Sequence, residues 1–354
     1  YLKSHIRPAE PAAQIRLANE MAGLPGLALM VWAVPRLAKH VGGKPAVALW
    51  LAVLNPLVLV HLIGGVHNEL LMVGLMTAGV VLVLERHHVG GVALVAVAVA
   101  IKATAGLALP FMVWIWMIHE RERAEAENRK PLSPLASFIK IAGTGAGVFA
   151  AVFVIASVIA GVGIGWLTAL SGSAKIINWL SLPTILARLV TVSTSWFLDL
   201  RLLPVLEVTR MLCGIALAII IVATWWLYRK TERDAVKGIV IALVAIVVLS
   251  PAALPWYYSW PLALAAGFAL STRTLMILVG LSAWLMLVFK PDGPPGLDSL
   301  LHVALATFAA VVAALSLTRV DPLRLRGTQH PPTDTREPGD THLVDAPRGH
   351  PDHA

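Results

Sequence analysis

Seven stretches of this chain, 18–35, 45–63, 67–84, 136–160, 205–228, 273–289 and 299–318, are each long and apolar enough to cross a hydrocarbon core, which takes about 20 residues of helix. Inside lipid a backbone must satisfy its own polar groups, so a chain built this way folds as packed helices. Charge is correspondingly scarce: 14% of the 354 residues are charged and 58% are hydrophobic, against roughly 25% charged in soluble domains. The expected class is all-α, a polytopic transmembrane helix bundle.

Two further regions are too long for one crossing. Residues 89–119 carry Lys102 near their middle and read as a hairpin of spans 89–103 and 104–119. Residues 236–271 read as two spans broken by "SPAALPWYYSWP" (250–261), because its three prolines cannot continue one helix. The total expected is about eleven spans.

The net charge of +8 would suit a nucleic-acid partner, but the basic residues gather in short loops between apolar spans. Arg36, Lys39 and Lys44 form the first such loop, and Arg86 with His87 and His88 the second. "HERERAEAENRK" (119–130) and "YRKTERDAVK" (228–237) follow, then Arg273, and finally Arg319, Arg324 and Arg326. Every second connection is therefore basic, which places these loops and the C-terminus in the cytoplasm. Membrane lipids, and no nucleic acid, are the expected surroundings.

Residues 1–17 then form an external segment, 18–319 the membrane domain with a long external loop at 161–204, and 320–354 a cytoplasmic tail. The loop mixes Trp166, Trp179 and Trp196 with Lys175, Asn178 and Arg188 and is long enough to hold interfacial helices. The tail is polar, rich in proline and almost free of aromatics, the composition of disorder. Its histidines lack zinc-type spacing. The single cysteine, Cys213, excludes an internal disulfide and reads as a small buried hydrophobe. The chain opens on Tyr1 without a signal-peptide pattern, yet its topology starts outside, so the expectation is an N-terminally incomplete chain.

Chemistry is expected where polar side chains interrupt apolar runs on the outer face. In "GGVHNELL" (64–71), Asn68 is a favoured N-cap and Glu69 suits a helix N-terminal dipole. That leaves His67 unexplained, and an exposed helix start is also an anion site where His67, Asn68 and Glu69 could act on a phosphate or sugar hydroxyl. Lys102, in "VAVAVAIKATAGLALPF", is either a lysine snorkelling to the interface or a point charge for a phosphate, with Thr104 and Gly106 leaving room beside it. Trp256, Tyr257, Tyr258 and Trp260 pack four aromatics into six residues, as an interfacial belt or as a platform for a sugar or lipid. No phosphate-binding GxxxxGK[ST], strand-linked GxGxxG, GxSxG, HExxH or Cys/His cluster occurs, so no nucleotide, cofactor or metal site is identified.

"VPRLAKHVG", "ALWLAVLNPLVLVHLIGGVHNELLMVGLMTAG" and "AVAVAIKATAGLALPF" together resemble the actinobacterial polyprenol-phosphate-mannose-dependent α-1,6-mannosyltransferases, most closely the MptB type. The resemblance is specific from about Ile15 to Pro110 and continues to about residue 320 through span pattern and "SPAALPWYYSWP". It implies a glycosyltransferase of the GT-C architecture in the plasma membrane, its active face extracytoplasmic. Such an enzyme takes mannose from a polyprenyl-phosphate-mannose donor and extends a lipid-anchored mannan acceptor in lipomannan and lipoarabinomannan synthesis. It further implies inverting transfer, with a catalytic aspartate in a first external loop that would lie upstream of Tyr1. Lys102 and Thr104 with the four aromatics would then line the donor site, beside His67, Asn68 and Glu69. Two other readings stay open: a paralogous GT-C mannosyltransferase with a different acceptor, and a flippase or transporter of a lipid-linked sugar, which Lys102 and proline-broken spans would also suit.

Overall fold

The computed structural model describes residues 11–65, 67–161, 177, 178, 180–290 and 299–319. The helices are α1 (Pro11–Val41), α2 (Pro45–Ala52), α3 (Glu69–Leu84), α4 (His88–Ile101), α5 (Leu109–Ala126), α6 (Pro134–Ile159), α7 (Leu182–Thr194), α8 (Leu202–Leu227), α9 (Glu232–Leu249), α10 (Ser259–Ala265), α11 (Thr272–Val288) and α12 (Leu300–Ser316). A π-helical turn, Val58–Gly64, precedes α3, and 3-10 turns at Ala103–Ala108 and Pro255–Tyr258 lead into α5 and α10. No strand occurs among the described residues; one isolated bridge joins Gly42 to Phe268.

Residues 69–84 are apolar on every side after Glu69, the pattern of a helix enclosed by others. In the fold α3 is that helix: all of its residues except Leu71 and Leu82 are buried. Its neighbours come close because side chains are missing where they cross. A Cβ on Gly74 would lie 2.5 Å from the Gly26 carbonyl oxygen of α1, and one on Gly79 would lie 2.7 Å from the Gly91 carbonyl oxygen of α4. Small residues at such crossings let backbones approach in a membrane bundle, where packing and not water exclusion drives association.

The outer helices look different. α6 buries only Ile141, and the exposed faces of α6 and α8 carry Ile139, Val158, Ile219 and Val222, surfaces suited to lipid and not to water. Three helices, at 103–126, 134–159 and 202–227, are long and apolar enough to cross a membrane, with a fourth if the bent pair Val58–Gly64 and Glu69–Leu84 is one span.

The expectation of eleven spans is therefore not supported. Stretch 45–63 breaks around Asn55-Pro56 into an eight-residue α2 and the π turn. Residues 236–271 yield one long helix, α9, and beyond the break only the seven-residue α10, which contains Pro261. α4, α7, α11 and α12 are apolar but shorter than a full crossing. The orientation of the termini rests on loop charge alone. α1 begins at Pro11, inside the expected external segment 1–17. Within the long 161–204 segment lies α7, followed by an exposed Trp196; Trp166, Lys175 and Trp179 lie outside the described residues, as does the tail at 320–354.

At the end that carries the basic loops, α4, α5 and α9 are tied by a polar chain. His88 Nε2 lies 2.8 Å from His119 Nδ1, and His119 Nε2 lies 2.5 Å from Glu232 Oε1, with His119 buried. His88 stacks on Trp116 at 4.8 Å. The bond from His119, its largest cause, holds the Glu232 carboxyl below its ordinary value. Such a depressed acid contributes stability that is present above its unfolded pKa and lost as pH falls through its folded one.

Two outcomes follow from this packing. Gly74→Val drives a side chain into the α1 backbone and is expected to cost at least about 3 kcal/mol, seen as loss of the monodisperse peak when detergent-solubilised protein is run on a sizing column. Glu232→Ala leaves the His119 N–H without its acceptor and should cost about 1–3 kcal/mol. Melting curves in detergent between neutral and acid pH will show it, since the variant should also lose part of the wild type's acid-side decline.

Candidate active site

Three separate parts of the chain converge beside the N-terminus of α3. The first is the turn before α3. The π turn holds its place partly through Asn55, whose Nδ2 donates to Ser282 Oγ of α11 (3.0 Å) while its Oδ1 accepts from Leu57 N (2.9 Å). The second is the junction of α4 and α5. There Lys102 is extended (φ −153°, ψ 120°) between the end of α4 and the 3-10 turn, so its side chain leaves the helix instead of lying along it. The third is the proline-broken segment after α9, where Pro255 opens a 3-10 turn that presents three aromatic rings.

At the centre, Lys102 Nζ donates to Glu69 Oε1 at 2.6 Å, with side-chain exposures of 23% and 7%. The same ammonium lies 3.8 Å from the centroid of Tyr257 and 4.7 Å from that of Trp260, and those two rings stack at 4.3 Å. A charge moved into an apolar bundle loses most of its hydration. Here a carboxylate and two aromatic rings replace the lost water. Beside this cage the His67 ring stacks on Trp256 at 3.8 Å and 22°. The hydroxyl of Thr104 and the indole N–H of Trp260 are both buried without a hydrogen-bond partner among the described residues, although buried polar atoms are nearly always paired.

Most residues singled out from the sequence thus meet, but three in ways the sequence did not indicate. Asn68 stands at the N-cap position, yet its backbone is helical (φ −68°, ψ −7°) and its side chain makes no capping bond. Glu69 is more than a first-turn acid, since it is the counter-charge of Lys102. Tyr258 packs against both the main core and a second cluster around Leu57, Leu285 and Val288.

His61 was missed. It is fully buried on the π turn, 6.2 Å from Trp256. The signal that finds it is the one that marks Lys102, a titratable side chain inside an apolar run. Among the described residues no group of three or more metal-ligating side chains occurs.

Because the pair is largely buried, losing one partner should cost more than losing both. Lys102→Met alone leaves Glu69 uncompensated and is expected to destabilise by about 3–5 kcal/mol, whereas Lys102→Met with Glu69→Gln recovers much of that loss. Melting temperatures in detergent of the single and double variants test the coupling.

The α-(1→6)-mannopyranosyltransferase N-terminal domain model matches residues 10–118 and the MptB C-terminal domain model matches residues 183–319, so His67, Glu69 and Lys102 come from one matched region and the aromatic segment from the other. Alpha-(1->6)-mannopyranosyltransferase A of Mycobacterium tuberculosis is 48% identical over 84% of this chain and 56% of its own length, and the A enzyme of Corynebacterium glutamicum 36% over 84% and 62%. Alpha-(1->6)-mannopyranosyltransferase B of Corynebacterium glutamicum is 29% identical over 72% of this chain and 43% of its own length. The chain thus spans less than two thirds of the length of these curated relatives, and the identities are higher with the enzymes named A. No solved structure matches it. With both domain models matched along most of its length, the chain belongs to the α-(1→6)-mannopyranosyltransferase family of MptA and MptB.

Proposed function

We propose that the protein takes part in transferring mannose from a polyprenyl-phosphate-mannose donor to an α-1,6-mannan acceptor, at the external face of the plasma membrane. The observation that carries this reading is the cage around Lys102: a lysine ammonium with a carboxylate and stacked aromatics beside it, inside a bundle with the surface of a membrane protein. A phosphate needs a positive charge, a sugar ring is held by aromatic faces, and a polyprenyl chain by apolar helices. One site offers all three.

In the reaction proposed, a carboxylate takes the proton of the acceptor 6-hydroxyl as that oxygen bonds to the anomeric carbon of mannose. The bond from that carbon to the phosphate oxygen breaks, and polyprenyl phosphate leaves with the electron pair. Inversion of a β-linked donor yields the α product. Lys102 has three N–H donors and gives one to Glu69, which leaves two for the departing phosphate. Arrival of that phosphate competes with Glu69 for the ammonium and loosens the carboxylate at the moment an acid–base group is useful. His67 stacked on Trp256 fixes the mouth of the site.

The relatives' names speak for transfer over transport of a lipid-linked sugar. Their order of identity supports an acceptor like that of the A enzymes, which an acceptor-length series would resolve.

The decisive assay uses membranes carrying the complete protein, labelled polyprenyl-phosphate mannose and an α-1,6-mannan acceptor. Lys102→Ala should lower transfer by about 10²–10³-fold, the usual loss when one preorganised charge-stabilising donor is removed. The double variant Lys102→Met/Glu69→Gln should fold and still be inactive. Wild-type transfer from either variant would end the assignment.

A further inference from the structure

A second site lies at the other end of α5, on the side of the basic loops. Between the C-terminal half of α5, the start of α6 and the end of α8 is a cavity of about 580 Å³. Arg121, Arg129, Lys140, Arg229 and Lys230 line it against one acid, Glu120. Two of the five are neutralised locally, Arg121 by Glu125 at 3.0 Å and Arg129 by Glu127 at 2.8 Å, and Arg229 lies over the Trp226 ring at 3.6 Å. Lys140 and Lys230 are exposed and have no carboxylate in salt-bridge range among the described residues. The cavity therefore keeps a positive excess.

Its floor is apolar, with Trp114, Ile118 and Ile141. Trp114 is fixed there by donating to the Trp225 carbonyl at 3.0 Å, while Trp225 donates to the Pro110 carbonyl at 3.1 Å. The three helices that meet here are the three long and apolar enough to cross a membrane. From the rim, exposed Leu135 and Ile139 of α6 and Trp226 and Leu227 of α8 continue down their outer faces. Lys140 stands about 9 Å into α6, six residues at 1.5 Å each, so its ammonium reaches back to the polar rim from within the apolar face.

A soluble anion would use the charge and leave the apolar floor and rim bare. A ligand that uses both is amphiphilic. We propose that this cavity binds an anionic membrane lipid, its headgroup phosphate between Lys140, Lys230 and Arg229 and its acyl chains along the exposed faces of α6 and α8. Basic cavities between spans are suited to such headgroups. The site lies at the opposite end of α5 from Lys102 and does not depend on the reading of that cage.

The test titrates the complete protein in neutral detergent with phosphatidylglycerol, phosphatidylcholine or inorganic phosphate, reading melting temperature. Phosphatidylglycerol alone should stabilise it saturably. Lys140→Gln with Lys230→Gln should raise the half-saturating concentration about 25-fold, roughly fivefold per charge. An equal response to phosphatidylcholine, an equal response to inorganic phosphate, or an unchanged curve in the double variant would each overturn the proposal. Should the variant not fold, photoreactive phosphatidylglycerol on the wild type decides it. Adducts within 114–141 or 225–230 support the site, and adducts confined elsewhere refute it.

Discussion

An ammonium and a carboxylate 2.6 Å apart inside an apolar bundle set conditions on everything around them. Each would lose hydration there without compensation, and the attraction between them only offsets that loss. The remaining compensation comes from Tyr257 and Trp260, whose ring centroids lie 3.8 and 4.7 Å from the Lys102 ammonium. Each of these side chains is supplied by a different break in a helix. Glu69 opens α3, Lys102 is the extended residue between α4 and the turn before α5, and the rings follow the break after α9, Tyr257 on the 3-10 turn and Trp260 at the start of α10. Regular helix at any of the three places would aim the side chain along the bundle.

The packing of α3 makes the convergence possible. With glycines at its crossings to α1 and α4, α3 runs through the middle of the main core, and its first residue is held at a fixed height beside the α4–α5 junction. At the opposite end His88, His119 and Glu232 tie α4, α5 and α9 together. The segment carrying Trp256 follows α9 directly, so this register also decides where the aromatic rings arrive. Both polar clusters are thus positioned by the same few helices, one at each end.

Much of the candidate site was legible because its residues violate the local pattern. Lys102 in an alanine and valine run, Glu69 after paired glycines, and the aromatic run "WYYSW" after Pro251 and Pro255 each stand out against apolar neighbours. Their pairing was not legible. Contact between residues 69, 102 and 257 depends on helix crossings set by backbone approach at Gly26, Gly74, Gly79 and Gly91, and a glycine in an apolar run gives no sign of its partner. For the same reason the sequence marks Asn68 as a cap although its side chain makes no capping bond, and it does not show that Tyr258 packs against a second cluster as well as the main core. Span counting failed at Asn55-Pro56, a break that hydropathy does not register, and again beyond the proline break after Leu249, where the chain stays apolar but forms only a seven-residue helix. His61 was overlooked because one imidazole hardly lowers the hydropathy of a long apolar run.

The account rests on Lys102 being the group that receives the donor's phosphate. The most direct measurement is an experimental structure of the complete protein with a non-transferable polyprenyl-phosphate analogue bound. It should place a phosphate oxygen within about 3 Å of Lys102 Nζ, with the Tyr257 and Trp260 rings beside the ligand and Glu69 drawn away from the ammonium. A phosphate bound elsewhere, with the Lys102–Glu69 pair intact and dry, would contradict it.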